Sequence, residues 1–543
     1  MWRQQYLGVG DNLWASAATA VVPIALLFYL VGIRRLAAWK AALGALAATV
    51  LIARFAFGVP GSVLLSSYLY GAAFGLFPVC WIVLPAIFLY RITLETGQFE
   101  IIKDSIAQLT SDARLQVLLI AFAFGAFLEG AAGFGAPVAI AGSMLVGLGI
   151  SRFQASSICL LANTAPVAFG SVGIPVITLA GLTGLPLEPL SAMVGRISSP
   201  LSLIIPCYLT VAFAGWRRTW PVMPAVVVTG VAFAGVQFVV ANFIGPFLSS
   251  ILAALAAMLG LIVLLQFWKP SDAGQQLAAN PAPPGSHRAV AVLRAWSPYL
   301  LLVGFVLLWG IGPIKTQLDR TTLAFNVPWL HDQVLRVPPV VKAAAPLPAI
   351  FKLNWLSGAG TAVFFAAILG GFVLGLGMRA QVRVLWATVR QLAIPALTIC
   401  SVLGFAFQMN YSGLIATIGL AFAATGWCFP FFSAFLGWLG VFVTGSDTSS
   451  NALFGNLQVT TAETLGLNPL LTAAANAAAG VMGKMISLQS IAIVLAATGM
   501  PQSDESKLFR WTLRHSLFLT ALTGLIVMGC AHLFPSAIPP YSK

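Results

Sequence analysis

FLEGAAGFGAP, residues 127–137, lies inside the long apolar run LQVLLIAFAFGAFLEGAAGFGAPVAIAGSMLVGLGI (115–150), in which Glu129 is the one charged side chain. A charge at mid-membrane depth costs about 2.5–3.5 kcal/mol even on the gentler insertion scales. Glycines at 125, 130, 133 and 135 and a proline at 137 crowd around it. A helix that only crossed lipid would carry neither the charge nor the break, so the pair of features asks for a site.

The rest of the chain says which solvent surrounds that site. Of 543 residues, 59% are hydrophobic and 8% charged, with a mean hydropathy of +0.95; a soluble chain carries about 25% charged residues. Apolar runs of 18 or more residues recur, each long enough to cross ~30 Å of hydrocarbon as a helix. They are continuous rather than alternating apolar and polar, which argues against a barrel. The fold class is an all-α polytopic membrane protein.

The formal net charge of +14 could suit a nucleic acid, but the basic residues form no module. They fall in short loops: Arg34, Arg35 and Lys40; Arg217 and Arg218; Lys269, Arg288 and Arg294; Arg379, Arg383 and Arg390; Lys507, Arg510 and Arg514. That is the signature of the positive-inside rule, and it points to membrane lipid rather than nucleic acid as the partner. The six cysteines form no CxxC pair and the four histidines are far apart. No metal ligand set and no cofactor motif emerge, and GAAGFG lacks the βαβ context of a nucleotide loop.

Spans are expected near 12–33, 40–58, 70–92, 154–181, 191–215, 219–241, 246–268, 296–313, 357–378, 391–410, 470–500 and 513–534, about twelve in all. The stretches 115–150 and 429–465 contain glycine and polar breaks and are read as two re-entrant hairpins. An N-terminal half, 1–268, is then joined to a C-terminal half, 298–543, by a flexible cytoplasmic loop at 269–297. A second polar interruption, 315–355, is expected on the outer surface.

The two halves repeat. FGAFLEGAAGFGAP pairs with LGVFVTGSDTSSNA, matching Phe127 to Phe442 and Gly130 to Gly445; ANTAPVAFGS pairs with ANAAAGVMGK, matching Asn163 to Asn476 and Gly170 to Gly483. Upstream, Gly97 matches Gly413. The intervals are 33, 33 and 7 residues in the first copy and 32, 31 and 7 in the second. The loop at 182–190 has Glu188 and no Lys or Arg, whereas its counterpart at 501–512 has Lys507 and Arg510, so the copies are expected in opposite orientation. Inverted repeats with discontinuous helices are a secondary-transporter architecture. Helix packing alone would account for the small residues, though not for glycine and charge at matching places.

Few ionisable groups are expected inside the bilayer: Glu129, Asp447, Lys484, with Arg54 and Arg196 less central. Each is by default a functional candidate. Lys484 is either half of a permanent salt bridge or a direct contact for an anion. Glu129 and Asp447 are candidate proton carriers, although Asp447, in GSDTSSN, sits among hard oxygen donors that would also suit a cation. Unwound backbone at membrane depth is tolerated where it lines a cavity, and helix N-termini favour anions. Gly130, Gly133, Gly135 and Ser446 at the breaks, with Asn163, Asn476, Ser487 and Gln489, complete a candidate substrate site. The residues by themselves point to a carboxylate-sized anion coupled to a cation.

FGAFLEGAAGFGAPVAI, LANTAPVAFGSVGIP, WLGVFVTGSDTSSNALF and GKMISLQSIAI resemble the signature stretches of the bacterial L-lactate permease family, from DNLWAS at residue 11 to the last span and including TGQFEIIKDSI and RAWSPYL. LQS at 488–490 departs from an expected PQS. The resemblance implies a bacterial inner-membrane symporter importing L-lactate, with D-lactate and glycolate, together with a proton; a sodium-coupled carboxylate carrier is the alternative that GSDTSSN would also suit. It assigns no residue roles, so the site candidates rest on the residues alone.

Overall fold

The computed structural model describes residues 1–133, 135–272, 287–341 and 343–541. Among these are twelve helices long and apolar enough to cross a membrane, or thirteen if the bent pair Arg152–Ala162 and Val167–Thr183 is one span. Their burial sorts them. In the Ala113–Ala131 helix, which ends two residues after Glu129, the whole apolar window is buried in protein, and in Pro469–Thr498 78% is; in the other ten the share is 28–56%. Lipid tails are as apolar as leucine, so apolarity alone draws no helix inward, and these two are less apolar than most of the others. The two innermost helices carry Glu129 and Lys484.

The repeat read from the sequence is visible element by element. Gly97 (φ +68°) precedes the helix Gln98–Ala107, and Gly413 (φ +80°) precedes Leu414–Phe422; the left-handed backbone at both positions explains why glycine recurs there. Each copy then forms a helical hairpin, Ala113–Ala131 with Ala136–Gly147 and Phe429–Thr444 with Asp447–Thr464. A broken helix follows in each: Arg152–Ala162 then Gly170–Thr183, and Pro469–Lys484 then Leu488–Thr498.

The first of these breaks differs from the continuous span expected at 154–181, and the second falls beside Lys484, inside the span expected at 470–500. In the first, the run Asn163–Thr164–Ala165–Pro166 ends the helix, because the residue before a proline is pushed out of the helical region, and the axis bends by 63°. In the second, the Ser487 side chain caps the new helix by accepting from Ser490 N, which lets the chain restart. The span expected at 70–92 is likewise interrupted: Phe77, before Pro78, is extended (φ −141°, ψ 121°).

The halves interleave rather than sit apart. The helix Met378–Tyr411 packs on Gly61–Phe74 and Ala38–Phe55, and Leu187–Ala214 packs on Pro469–Lys484. Within the second copy, Phe429–Thr444 approaches Pro469–Lys484 closely enough that a Cβ on Gly437 would collide with the Asn476 carbonyl, and one on Gly483 with that of Trp438. Gly437→Ala is therefore expected to destabilise the purified protein by about 1–3 kcal/mol, read as a lower melting midpoint in detergent.

Two small sheets add to the helical plan. Trp2–Arg3 pairs in parallel with Val334–Arg336, which pairs with Ala345–Pro346, and Leu323–Asn326 pairs with Ile350–Leu353. Gln4 Nε2 donates to the carbonyls of Asn410 and Tyr411, which satisfies orphan acceptors at a helix end. The expected cytoplasmic loop at 269–297 includes 273–286, which lie outside the described residues. On one flank, Asp272 accepts two hydrogen bonds from the buried Arg114 guanidinium, at 2.7 and 2.9 Å. That pairing holds the Asp272 carboxyl below the ordinary carboxylate range. Its stabilising contribution is present above that range and is lost as pH falls through the lowered value.

Candidate functional site

Lys484 is the last residue of Pro469–Lys484, where a cation complements the helix dipole. Its Nζ lies 2.7 Å from Glu129 Oε1, with the side chains 12% and 4% exposed. The pair links the second copy's broken helix to the first copy's hairpin. One hydrogen bond leaves Glu129 half satisfied: Oε2 is buried and finds no hydrogen-bond partner among the described residues. A paired carboxylate with an idle oxygen can exchange its partner, which a fully bonded one cannot do without loss.

The first copy's broken segment surrounds this carboxylate. A Cβ on Gly170 would stand 2.8 Å from Glu129 Oε1, and one on Gly133 would stand 3.6 Å from it while overlapping Ser171 Oγ. Gly133 (φ +61°) and Gly135 (φ +84°) turn the hairpin tip, and Gly130 lets the arm approach Ile251. Asn163 opens the same break; it is 6% exposed, and neither amide atom finds a partner among the described residues.

The second copy is arranged differently. Ser446 caps Asp447–Thr464, its Oγ accepting from Ser449 N, and Asp447 stands in the first turn, where a negative charge suits the helix dipole. Asp447 is buried, lies within electrostatic reach of both Lys484 and Glu129, and has no partner for Oδ1 among the described residues. Asn476 is spent: Nδ2 donates to Asn451 Oδ1 at 2.9 Å and Oδ1 accepts from Gln458 Nε2 at 3.2 Å. Asn451 in turn donates to the Pro175 carbonyl, so this ladder joins the second hairpin to the first copy. Ser487 is engaged in its capping role, also donating to the Lys484 carbonyl. Gln489 is exposed and its Oε1 borders Gly445, whose left-handed turn (φ +71°) makes the hairpin tip.

The structure thus brings together Glu129, Lys484 and Asp447 with Gly133, Gly170 and Ser171, and it commits Asn476 and Ser487 to internal bonds. Sequence reasoning missed Ser171, although its signal was available, since it occupies the place of Lys484 in the quoted repeat. What the arrangement can do chemically is hold one negative charge against one buried cation, with two further carboxyl oxygens free to accept a proton.

A chain with this ordered set of motifs matches a sequence profile described as L-lactate permease over residues 16–534. It is 45% identical to an L-lactate permease of Bacillus subtilis (strain 168), covering 99% of this chain and all of that protein. It is 44% identical to a glycolate permease of Escherichia coli (strain K12), over 98% of both. An L-lactate permease of the same strain is 43% identical, covering 99% of this chain and all of that one. Two solved proteins align more loosely: the YdaH transporter of Alcanivorax borkumensis, at 15% identity with a TM-score of 0.46 over 86% and 87% of the chains, and MtrF of Neisseria gonorrhoeae, at 14% with 0.41 over 90% and 84%. With full-length matches at this identity, and with the motifs falling at the hairpin tips and helix breaks, the chain belongs to the L-lactate permease family, a family of transporters rather than enzymes.

Proposed function

We propose that this protein imports lactate and glycolate, small 2-hydroxymonocarboxylates, together with H⁺ across the bacterial inner membrane by alternating access. The observation that carries the reading is the 2.7 Å Glu129–Lys484 pair at the meeting of a hairpin and a broken helix. Protonation of Glu129 releases Lys484, which then receives the substrate carboxylate. On the other side the carboxylate leaves, Glu129 gives up its proton, and the pair re-forms. Because binding free energies are reciprocal, a proton that favours substrate by some factor is itself favoured by substrate to the same factor.

In this reading the two hairpins re-enter the membrane from opposite faces, in oppositely oriented repeats joined by 269–297, and they alternate in access around a midplane site. Gly130, Gly133, Gly135 and Asn163 line the substrate from the first copy, and Ser446 and Gln489 from the second. Asp447 is the second candidate proton carrier. Its Oδ1, without a partner among the described residues, also supports sodium coupling as a rival reading. The basic loops face anionic headgroups on the cytoplasmic side.

The test is uptake of labelled L-lactate by proteoliposomes under an inward proton gradient in sodium-free buffer. Accumulation that a proton ionophore collapses is the expected result. Accumulation that begins only on adding sodium would overturn proton coupling and move the ion to Asp447.

A further inference from the structure

We propose that Ser171 is the specificity residue that reads the substrate's 2-hydroxyl while Lys484 holds its carboxylate, an inference that rests on the exchange of Lys484 between Glu129 and substrate. In the repeat Gly170 matches Gly483, so Ser171 stands where the second copy has Lys484. The two copies therefore offer a hydroxyl and an ammonium at equivalent register positions, Ser171 in a left-handed turn and Lys484 at the end of a helix. A 2-hydroxy acid presents a hydroxyl and a carboxylate on adjacent carbons, the complementary pair.

The backbone around Ser171 marks the place. Ser171 (φ 45°, ψ 56°), Val172 (φ 58°, ψ 37°) and Gly173 (φ 78°, ψ 14°) form three successive left-handed residues. The left-handed conformation costs a residue with a Cβ roughly 1–2 kcal/mol, and for a β-branched valine it is a genuine outlier. The matching residue of the second copy, Met485, is right-handed at φ −65°. Strain of this kind persists where the surroundings impose it, and it clusters at ligand clamps.

The turn aims the hydroxyl at the site. Ser171 is 7% exposed and its Oγ donates to the Ala132 carbonyl at 3.2 Å, next to the hairpin tip. Ser171 Oγ and Glu129 Oε1 both border Gly133, and that same Oε1 is the atom bonded to Lys484. A carboxylate taking the place of Oε1 on Lys484 would bring its neighbouring carbon toward Ser171. The hydroxyl has acceptor lone pairs for a substrate O–H and a rotatable proton to return.

The test compares L-lactate with propionate, which has the same carboxylate and chain length without the 2-hydroxyl. Each would compete for labelled L-lactate uptake in proteoliposomes of wild type, Ser171→Ala and Ser171→Gly. Alanine removes the hydroxyl and keeps the backbone strain; glycine removes both. Loss of one hydrogen bond to substrate is expected to weaken lactate about tenfold in both variants while propionate changes less than twofold, so that wild-type preference collapses. Equal losses for the two acids, or wild-type preference retained in Ser171→Gly, would overturn the assignment. Failure of the underlying reading is distinguishable: there Lys484→Met would leave the affinities for lactate and propionate alike unchanged.

Discussion

Lys484→Met is expected to lower proton-driven lactate uptake by about 100-fold or more, the size of effect produced by removing one partner of a buried charge pair, about 3–5 kcal/mol. Two losses combine in it. Substrate carboxylate has no cation to receive it, and Glu129 is left buried without the Lys484 hydrogen bond. The second loss threatens folding as well as transport, so the double variant Lys484→Met/Glu129→Gln separates them. Neutralising both partners relieves the unpaired charge and should restore the yield and melting midpoint of the purified protein without restoring uptake. Uptake recovering along with stability would show the pair to be structural. A single Lys484→Met variant with an unchanged KM for lactate would remove Lys484 from the substrate site altogether.

Glu129→Gln is expected to separate binding from coupling. Glutamine keeps the shape of the side chain and can still approach Lys484 with its carbonyl oxygen, but it cannot take up or release a proton. Proton-driven accumulation should vanish while lactate–lactate exchange across the membrane continues, because exchange needs only the loaded carrier to reorient. The pH dependence gives a second readout. If lactate and H⁺ are coupled as proposed, apparent affinity for lactate in the wild type should rise as external pH falls. In Glu129→Gln, Lys484 meets the same neutral side chain at every pH, and the affinity should become flat. Full accumulation in this variant would transfer the proton to Asp447, and the same pair of assays on Asp447→Asn would then be decisive.

Much of the plan was legible along the chain because the bilayer imposes it locally. Apolar length decides a span, loop lysines and arginines suggest its orientation, and intramembrane charge is rare enough that Glu129, Asp447 and Lys484 stood out singly. The repeat was legible from its register, since Gly97 and Gly413 each meet a left-handed backbone requirement that glycine satisfies most cheaply. The break inside 154–181 was harder to read. A proline in a membrane helix is also compatible with a continuous span. The small sheets were illegible for a different reason, because they join Trp2–Arg3 to a strand some 330 residues away.

The sequence by itself determined a helical membrane protein, its charged residues and the places where its helices are weak. Only the tertiary structure decided which of those residues meet. Glu129 and Lys484 are 355 residues apart, and no periodicity reaches across such a separation. They are joined because the fully buried Ala113–Ala131 helix and the glycine-lined Pro469–Lys484 helix both pack at the centre, where a carboxylate and an ammonium without water are each too costly to stand alone. The same packing spends Asn476 on Asn451 and Gln458 while leaving the matched Asn163 without a partner among the described residues. Two residues equal in sequence register thus acquire different work, because burial and bonding are properties of neighbours in space.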